Sequence, residues 1–382
     1  MNIISFDLRC LDVEVGKLHF TGGERQFFEI IKKWSDFGHE VTIIGSSYTK
    51  YLADYFGSKV IVNLYEPLKP PPKSLVDLVN IDRMIRKIPD KSFDFIYCPY
   101  ELFEWVVASA LVKKKLKIPL VVSINLFEPH EVSTFPFFVL RYKTFFRNLF
   151  LKKSDLIFCV SNEIKSLLIK LGIDASRLFS VGSGIDIQQI RSIDNQDKIY
   201  DACFMGDIIS RKGVEDLIFV WKNVVREISD AHLVVIGKGW TEQYEQKIKA
   251  LVKKLNLQNK ILFTGFLVGE EKYKMLKSCK ILIFPSYSES FSQAVCEALA
   301  CGLPVIAYNI PALREHYGDC ILYIEKGDIR SMARYVIDIL RNYDSQSGRI
   351  IEGMKRAELY DWKNIARRML DVIVQKLPYI ST

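Results

Sequence analysis

Phe284-Pro285-Ser286-Tyr287-Ser288-Glu289-Ser290-Phe291-Ser292-Gln293-Ala294-Val295-Cys296-Glu297-Ala298-Leu299-Ala300-Cys301-Gly302-Leu303-Pro304-Val305-Ile306-Ala307 is the densest signal in the chain. An apolar run ends at Pro285 and a polar loop follows. A helical pattern starts near Ser290 and stops at Gly302, a residue suited to ending a helix. Pro304 then opens a second apolar run. Strand, loop, helix, strand is the unit of a parallel sheet, which places its chemistry in the loops after its strands. The loop and the helix start offer N–H groups and a positive dipole end to an anion. A carboxylate accepts from two vicinal hydroxyls. Glu297 can therefore hold a ribose while the helix start holds a phosphate. Taken alone, Glu297 would be a surface glutamate on an amphipathic helix.

The same alternation extends in both directions. Upstream of it, Tyr200–Met205, His232–Ile236, Lys260–Thr264 and Ile281–Phe284 read as strands. Helical patterns at Arg211–Ile228, Glu242–Leu255 and Glu270–Ser278 separate them. An earlier series has strands at Ile3–Phe6, Val41–Gly45, Lys59–Leu64, Phe93–Cys98, Leu120–Asn125 and Leu156–Cys159, with helices such as Glu24–Phe37 and Leu102–Lys115 between. Gly182–Lys198, rich in Gly, Ser, Asp, Asn and Gln, joins the two series. The expectation is α/β: two doubly wound Rossmann-like domains with a cleft between them, the first ending at residue 183.

At 382 residues, 49% hydrophobic and 26% charged, the chain is long enough for two such domains and is neither disordered nor fibrous. Its eight cysteines lack Cys-x-x-Cys spacing and mostly sit in apolar runs, as buried thiols do in a reducing compartment. The first residues lack a basic stretch followed by an apolar one. No apolar run reaches membrane-spanning length. These features predict a cytoplasmic chain, or one peripheral on the cytoplasmic face of a membrane.

Several blocks, in order, resemble the retaining, nucleotide-sugar-dependent glycosyltransferases of the GT-B fold, the large family (group 1, or family 4) marked by two glutamates with seven residues between them. These are Glu289 and Glu297 here. Thr21-Gly22-Gly23-Glu24-Arg25 resembles its first glycine-rich loop. Gly206 through Arg211-Lys212-Gly213 resembles its basic diphosphate clamp. Val235-Ile236-Gly237-Lys238-Gly239 and Phe263-Thr264-Gly265-Phe266 resemble the loops flanking the nucleotide. Trp362 resembles the point where the chain crosses back to the first domain. The resemblance implies an acceptor-binding domain at 1–183, a donor-binding domain at 184–358 and a C-terminal helix at 359–382. It gives Glu297 the donor ribose and has Glu289 facing the donor sugar. Arg211 and Lys212 meet the diphosphate, where two cations offset charge that grows as the sugar bond breaks. Gly22, Gly23, Gly206, Gly237, Phe266, Ser290, Phe291 and Ser292 line the donor. The sequence departs from the family at Ser290-Phe291-Ser292, where Gly-Phe-Gly is commoner. It departs again at Asn125, where many members have a histidine; His130 lies nearby. Both are read as sugar or acceptor contacts. The implied donor is a UDP- or GDP-sugar and the acceptor a glycan or lipid-linked sugar.

No metal site, cofactor or nucleic-acid module is expected. Asp12-Val13-Glu14 is the nearest acidic pair, and the histidines are scattered. The net charge of +8 is concentrated: Lys113–Lys153 holds nine basic and two acidic residues. Within it, Arg141, Lys143, Arg147, Lys152 and Lys153 share a helical pattern with Phe138, Tyr142, Phe145 and Leu149. Such a helix either covers the core or lies on anionic lipid. Three functional readings stay open: sugar transfer, nucleotide-sugar epimerisation, and a non-catalytic partner subunit.

Overall fold

The computed structural model describes residues 1–7, 22–65, 76–126 and 137–378. His130, Thr21 and Asp12-Val13-Glu14 lie outside the described residues. Two compact units divide the chain, one of Met1–Ser183 with Trp362–Thr382, the other of Gly184–Asp361.

The first unit has β1 (Asn2–Phe6), β2 (Glu40–Gly45), β3 (Ile61–Leu64), β4 (Phe95–Cys98), β5 (Leu120–Ile124), β6 (Leu156–Cys159) and β7 (Leu178–Ser180). They form one sheet in the order β3-β2-β1-β4-β5-β6-β7, with every pairing parallel. The second unit has β8 (Tyr200–Met205), β9 (Leu233–Ile236), β10 (Ile261–Gly265), β11 (Cys279–Phe284), β12 (Val305–Tyr308) and β13 (Ile321–Ile324). Their order is β10-β9-β8-β11-β12-β13, again all parallel. Central strands such as Phe95–Cys98 and Leu233–Ile236 are buried at every residue, because helices cover both faces. Their unbroken Ile, Val, Leu and Phe runs follow from that. In the second sheet the chain builds outward from β8 to β10, then returns to lay β11 against β8. The loops after β8 and β11 therefore diverge from adjacent strand ends, the position where open α/β sheets bind ligands.

Three short elements escape the sequence reading. The strands β7 and β13 have only three and four residues. The helix Ile187–Ser192 lies inside the supposed linker, its start capped by Asp186, whose Oδ1 accepts from Gln189 N at 2.9 Å. Arg211 and Lys212 do not begin a long helix. They sit on a single turn, Ser210–Lys212, and Gly213 at φ +67° resets the backbone before the helix Val214–Glu227. The helix expected from near Ser290 begins at Gln293, because Ser292 caps it. Gly22 and Gly23, read as loop, open the helix Gly22–Asp36.

The helix Trp362–Lys376 packs on Gly22–Asp36 within the first unit: Trp34 Nε1 donates to Ala366 O at 3.1 Å and Arg368 Nη1 to Val181 O at 3.3 Å. Residues 359–361, expected with that helix, stay with the second unit, where Ile185 N donates to Tyr360 O.

Among the described side chains, the basic helix Phe137–Leu151 turns two of its expected surface cations inward; the Arg141 side chain lies outside the described residues. Arg147 is only 2% exposed, and Lys143 is paired with Glu104. Phe145 and Leu149 are exposed instead, beside exposed Lys152 and Lys153. The physical reason is that Glu104 and Glu101, from the neighbouring segment, set carboxyl groups against the inward side of this helix, Glu104 paired with Lys143 and Glu101 near Arg147. Among the described residues no helix is long and apolar enough to cross a membrane.

Candidate functional site

The loops after β8 and β11 are laced together. Lys212 Nζ lies 2.6 Å from Glu289 Oε1, and Ser286 Oγ donates to the same oxygen at 2.6 Å. Both charged side chains are largely withdrawn from water, Lys212 14% and Glu289 7% exposed. Lys212 also lies over the Phe284 ring. Arg211 Nη1 donates to Ser288 O at 2.8 Å, and Tyr287 N returns a bond to Arg211 O at 2.9 Å. Tyr287 and Tyr308 both donate through their hydroxyls to Asp216 Oδ2 at 2.6 Å. That hydrogen bond raises the Tyr287 pKa, and burial raises that of Tyr308. Asp216, on the first turn after Gly213, thus holds the loop that carries Glu289.

Backbone contacts join the next two loops. Gly206 N donates to Ile236 O at 3.0 Å and Gly237 N to Gly265 O at 2.9 Å. Gly237, at φ +149°, leaves no room for a side chain, since a Cβ there would sit 1.9 Å from Gly206 O. Phe266 follows on the β10 loop, 38% exposed.

Glu297 is buried on the helix Gln293–Ala300. Its Oε1 accepts from Lys272 Nζ at 2.7 Å and from Tyr273 Oη at 3.0 Å. Sequence reasoning missed Lys272, Tyr273, Asp216 and Ser286. The run Glu270-Glu271-Lys272-Tyr273 looks like a solvated helix start, and nothing in its spacing points to a glutamate so far along the chain. Phe291, expected to line the donor, has its ring in the core. It is buried among His316, Tyr317 and Tyr360, with centroids 4.7, 5.7 and 4.9 Å away. Ser292, at φ +69°, spends its hydroxyl accepting from Val295 N at 3.4 Å. Between Glu289 and the helix, the backbone is what this segment presents, together with Ser290.

Gly22, Gly23 and Asn125 belong to the first unit. Asn125 follows β5, and its N–H donates to Glu101 Oε2 at 3.2 Å. Its side-chain amide is buried and has no partner among the described residues. Burial pushes the Glu101 carboxyl from the ordinary 4.5 up to about 7, against the N–H groups of Asn125 and Leu126 and the Arg147 charge. Between those two values folded Glu101 keeps a proton that the unfolded chain has released. Its contribution to stability is therefore full below 4.5 and declines as pH rises to about 7. Glu101→Gln should flatten this decline in urea midpoints measured from pH 4.5 to 8. A variant whose midpoints fall in parallel with wild type would show that Glu101 is not the group titrating.

All seven described cysteines are free, and the described residues contain no cluster of three or more His, Cys, Asp or Glu able to hold a metal.

Two family patterns match the chain in sequence: Glycosyltransferase Family 4 over residues 20–189 and Glycosyl transferases group 1 over 186–356. The sulfoquinovosyl transferase SQD2 of Arabidopsis thaliana is 24% identical over 362 residues, 90% of this chain and 69% of that protein. An uncharacterized glycosyltransferase of Methanocaldococcus jannaschii is 29% identical over 185 residues, and that match spans 48% of this chain and only 46% of the relative. Anabaena Alr3699/HepE, solved in complex with UDP, superposes with a TM-score of 0.77 at 17% identity, covering 98% of this chain and all of that one. The chain belongs to the group 1, family 4 glycosyltransferases and has their two-domain α/β GT-B fold.

Proposed function

We propose that the chain transfers a sugar from a UDP- or GDP-sugar to an acceptor hydroxyl, with retention of anomeric configuration. The observation that carries this reading is the withdrawn Lys212–Glu289 pair, with Arg211 tied to the same loop at the ends of β8 and β11. A cation pair beside a carboxylate suits a reacting centre with a departing diphosphate on one side and a sugar on the other. Arg211 and Lys212 meet the diphosphate. Glu289 faces the sugar, and Glu297 takes the ribose. The loops of Gly206, Gly237 and Phe266 flank the nucleotide. The complexes of HepE with UDP and with UDP-glucose support a nucleotide-sugar donor, and the name of SQD2 supports sugar transfer.

The acceptor hydroxyl attacks on the face from which the diphosphate leaves. The protein's contribution is then fixed positive charge and exclusion of water rather than a covalent intermediate. That charge comes from Arg211, Lys212 and the start of the helix Gln293–Ala300, so turnover needs no divalent cation. The acceptor is a glycan or lipid-linked sugar bound by the first unit, with Asn125. Exposed Phe145, Leu149, Lys152 and Lys153 suit an anionic membrane surface, and free buried thiols suit the cytoplasm.

A thermal-shift screen of UDP, GDP and their sugars in the presence of a chelator tests the reading. At 100 times its Kd, one nucleotide should stabilise the fold by about 2.7 kcal/mol. Transfer or slow hydrolysis of the matching sugar should survive the chelator. No shift with any nucleoside diphosphate would sink the proposal. Binding without transfer or hydrolysis would point to a partner subunit.

A further inference from the structure

The contacts of Glu297 go beyond the paired-glutamate pattern. Lys272 and Tyr273 are adjacent on the helix Gly269–Lys277, and both donate to one oxygen of the Glu297 carboxylate, at 2.7 and 3.0 Å. Lys272 lies over the Tyr273 ring at 4.4 Å, which fixes its own direction. The ion pair is sheltered, with Lys272 12% and Glu297 4% exposed, and Tyr273 is fully buried.

Withdrawing two charges from water is costly, and apolar residues of similar size generally stabilise a fold as well or better. What a charge pair supplies that apolar residues cannot is a carboxylate of set charge and set orientation. Its place in the fold gives that orientation a use. Glu297 is the fifth of the eight residues of its helix, and its carboxylate is bonded to Lys272, in the amino-terminal half of the helix Gly269–Lys277. In a parallel sheet covered by helices, that is the end at which the strands finish and ligands bind. The Lys212–Glu289 pair, in the loops after β8 and β11, lies at the same end.

We propose that Lys272, backed by Tyr273, is a positioning residue: it fixes the Glu297 carboxylate for a vicinal diol and so makes the second unit select ribonucleotides over their dideoxy counterparts. The inference rests on the reading above that Glu297 meets the donor ribose. It adds a residue pair outside the glutamate motif and a selectivity that those residues control. A donor and a cation sharing one oxygen limit rotation of the carboxylate, so less ordering remains to be done when the diol binds.

The test compares UDP (or GDP, whichever wild type binds) with its 2′,3′-dideoxy form by calorimetry. Wild type should prefer the ribonucleotide. Lys272→Met, which keeps the length of the side chain, should weaken ribonucleotide binding about tenfold, the size of one well-made charged hydrogen bond. Dideoxy binding should be unchanged, so the preference collapses. Lys272→Arg should recover part of it. Tyr273→Phe, which keeps the ring in place, should cost roughly threefold on the ribonucleotide alone, and it provides the same readout should Lys272→Met fold poorly. Equal weakening of both ligands, with lowered thermal stability, would make the pair purely structural and overturn the proposal. A wild type that binds UDP and its dideoxy form equally would overturn it while leaving the donor reading intact. Failure of wild type to bind any nucleoside diphosphate would remove both.

Discussion

Lys212→Ala should lower kcat by roughly 10²–10³-fold while changing KM far less, the pattern expected when a fixed charge acts mainly on the transition state. Two effects add. On the proposed reading, the substitution removes a cation from the place where the departing diphosphate gains charge. It also deprives Glu289 of the ammonium 2.6 Å away, leaving Ser286 to hold a carboxylate that is 7% exposed. Lys212→Arg keeps the charge but replaces a compact ammonium with a flat, wider group, so it should recover only part of the rate. Thermal melting of each variant separates chemistry from folding. A Lys212→Ala enzyme with wild-type kcat would place the diphosphate elsewhere.

Gly213→Ala should destabilise the second unit by about 3 kcal/mol or more, from overpacking together with a left-handed backbone. A Cβ at this position would sit 1.9 Å from Pro285 O and 2.8 Å from Pro285 C, and the backbone is at φ +67°. Neither neighbour is a flexible side-chain end that can swing away. Gly38→Ala is the control for the backbone. It also has positive φ, +89°, in the turn that closes a helix, but nothing lies within 4 Å of its would-be Cβ, so only the backbone cost of about 1–2 kcal/mol applies. Urea unfolding of both variants isolates the steric part. Equal losses would mean that the two loops do not need this close approach.

The unbroken apolar strands and the polar loop ending in Glu289 were legible because burial on both faces and turn chemistry act locally. What stayed hidden depends on pairing across long separations. Lys272 looked solvated because its partner Glu297 lies twenty-five residues further on. Arg147 looked like part of a cationic surface because hydrophobicity alone assigns Phe145 and Leu149 to the inside, and the structure reverses them. Glu101 and Glu104, which draw Arg147 and Lys143 inward, lie about forty residues upstream. Phe291 sits in a segment where the backbone, not the ring, faces outward, and no periodicity reports that in so short a run. The turn that carries Arg211 and Lys212 was absorbed into the helix behind it. Gly213, which breaks the two apart, was visible but read only as part of the clamp.

The last helix, Trp362–Lys376, completes a unit whose other residues are the first to be made. Residues 1–183 leave the ribosome without the element that covers Trp34 and accepts its indole N–H. Gly184–Asp361 is contiguous and can close as soon as Asp361 is clear. Assembly on the ribosome thus runs opposite to synthesis, the second unit finishing before the first. At 5–20 residues per second, the face of Gly22–Asp36 that receives the last helix stays open for roughly 10–40 s. For that interval the amino-terminal unit leaves uncovered an apolar surface that the finished fold buries under Trp362–Lys376.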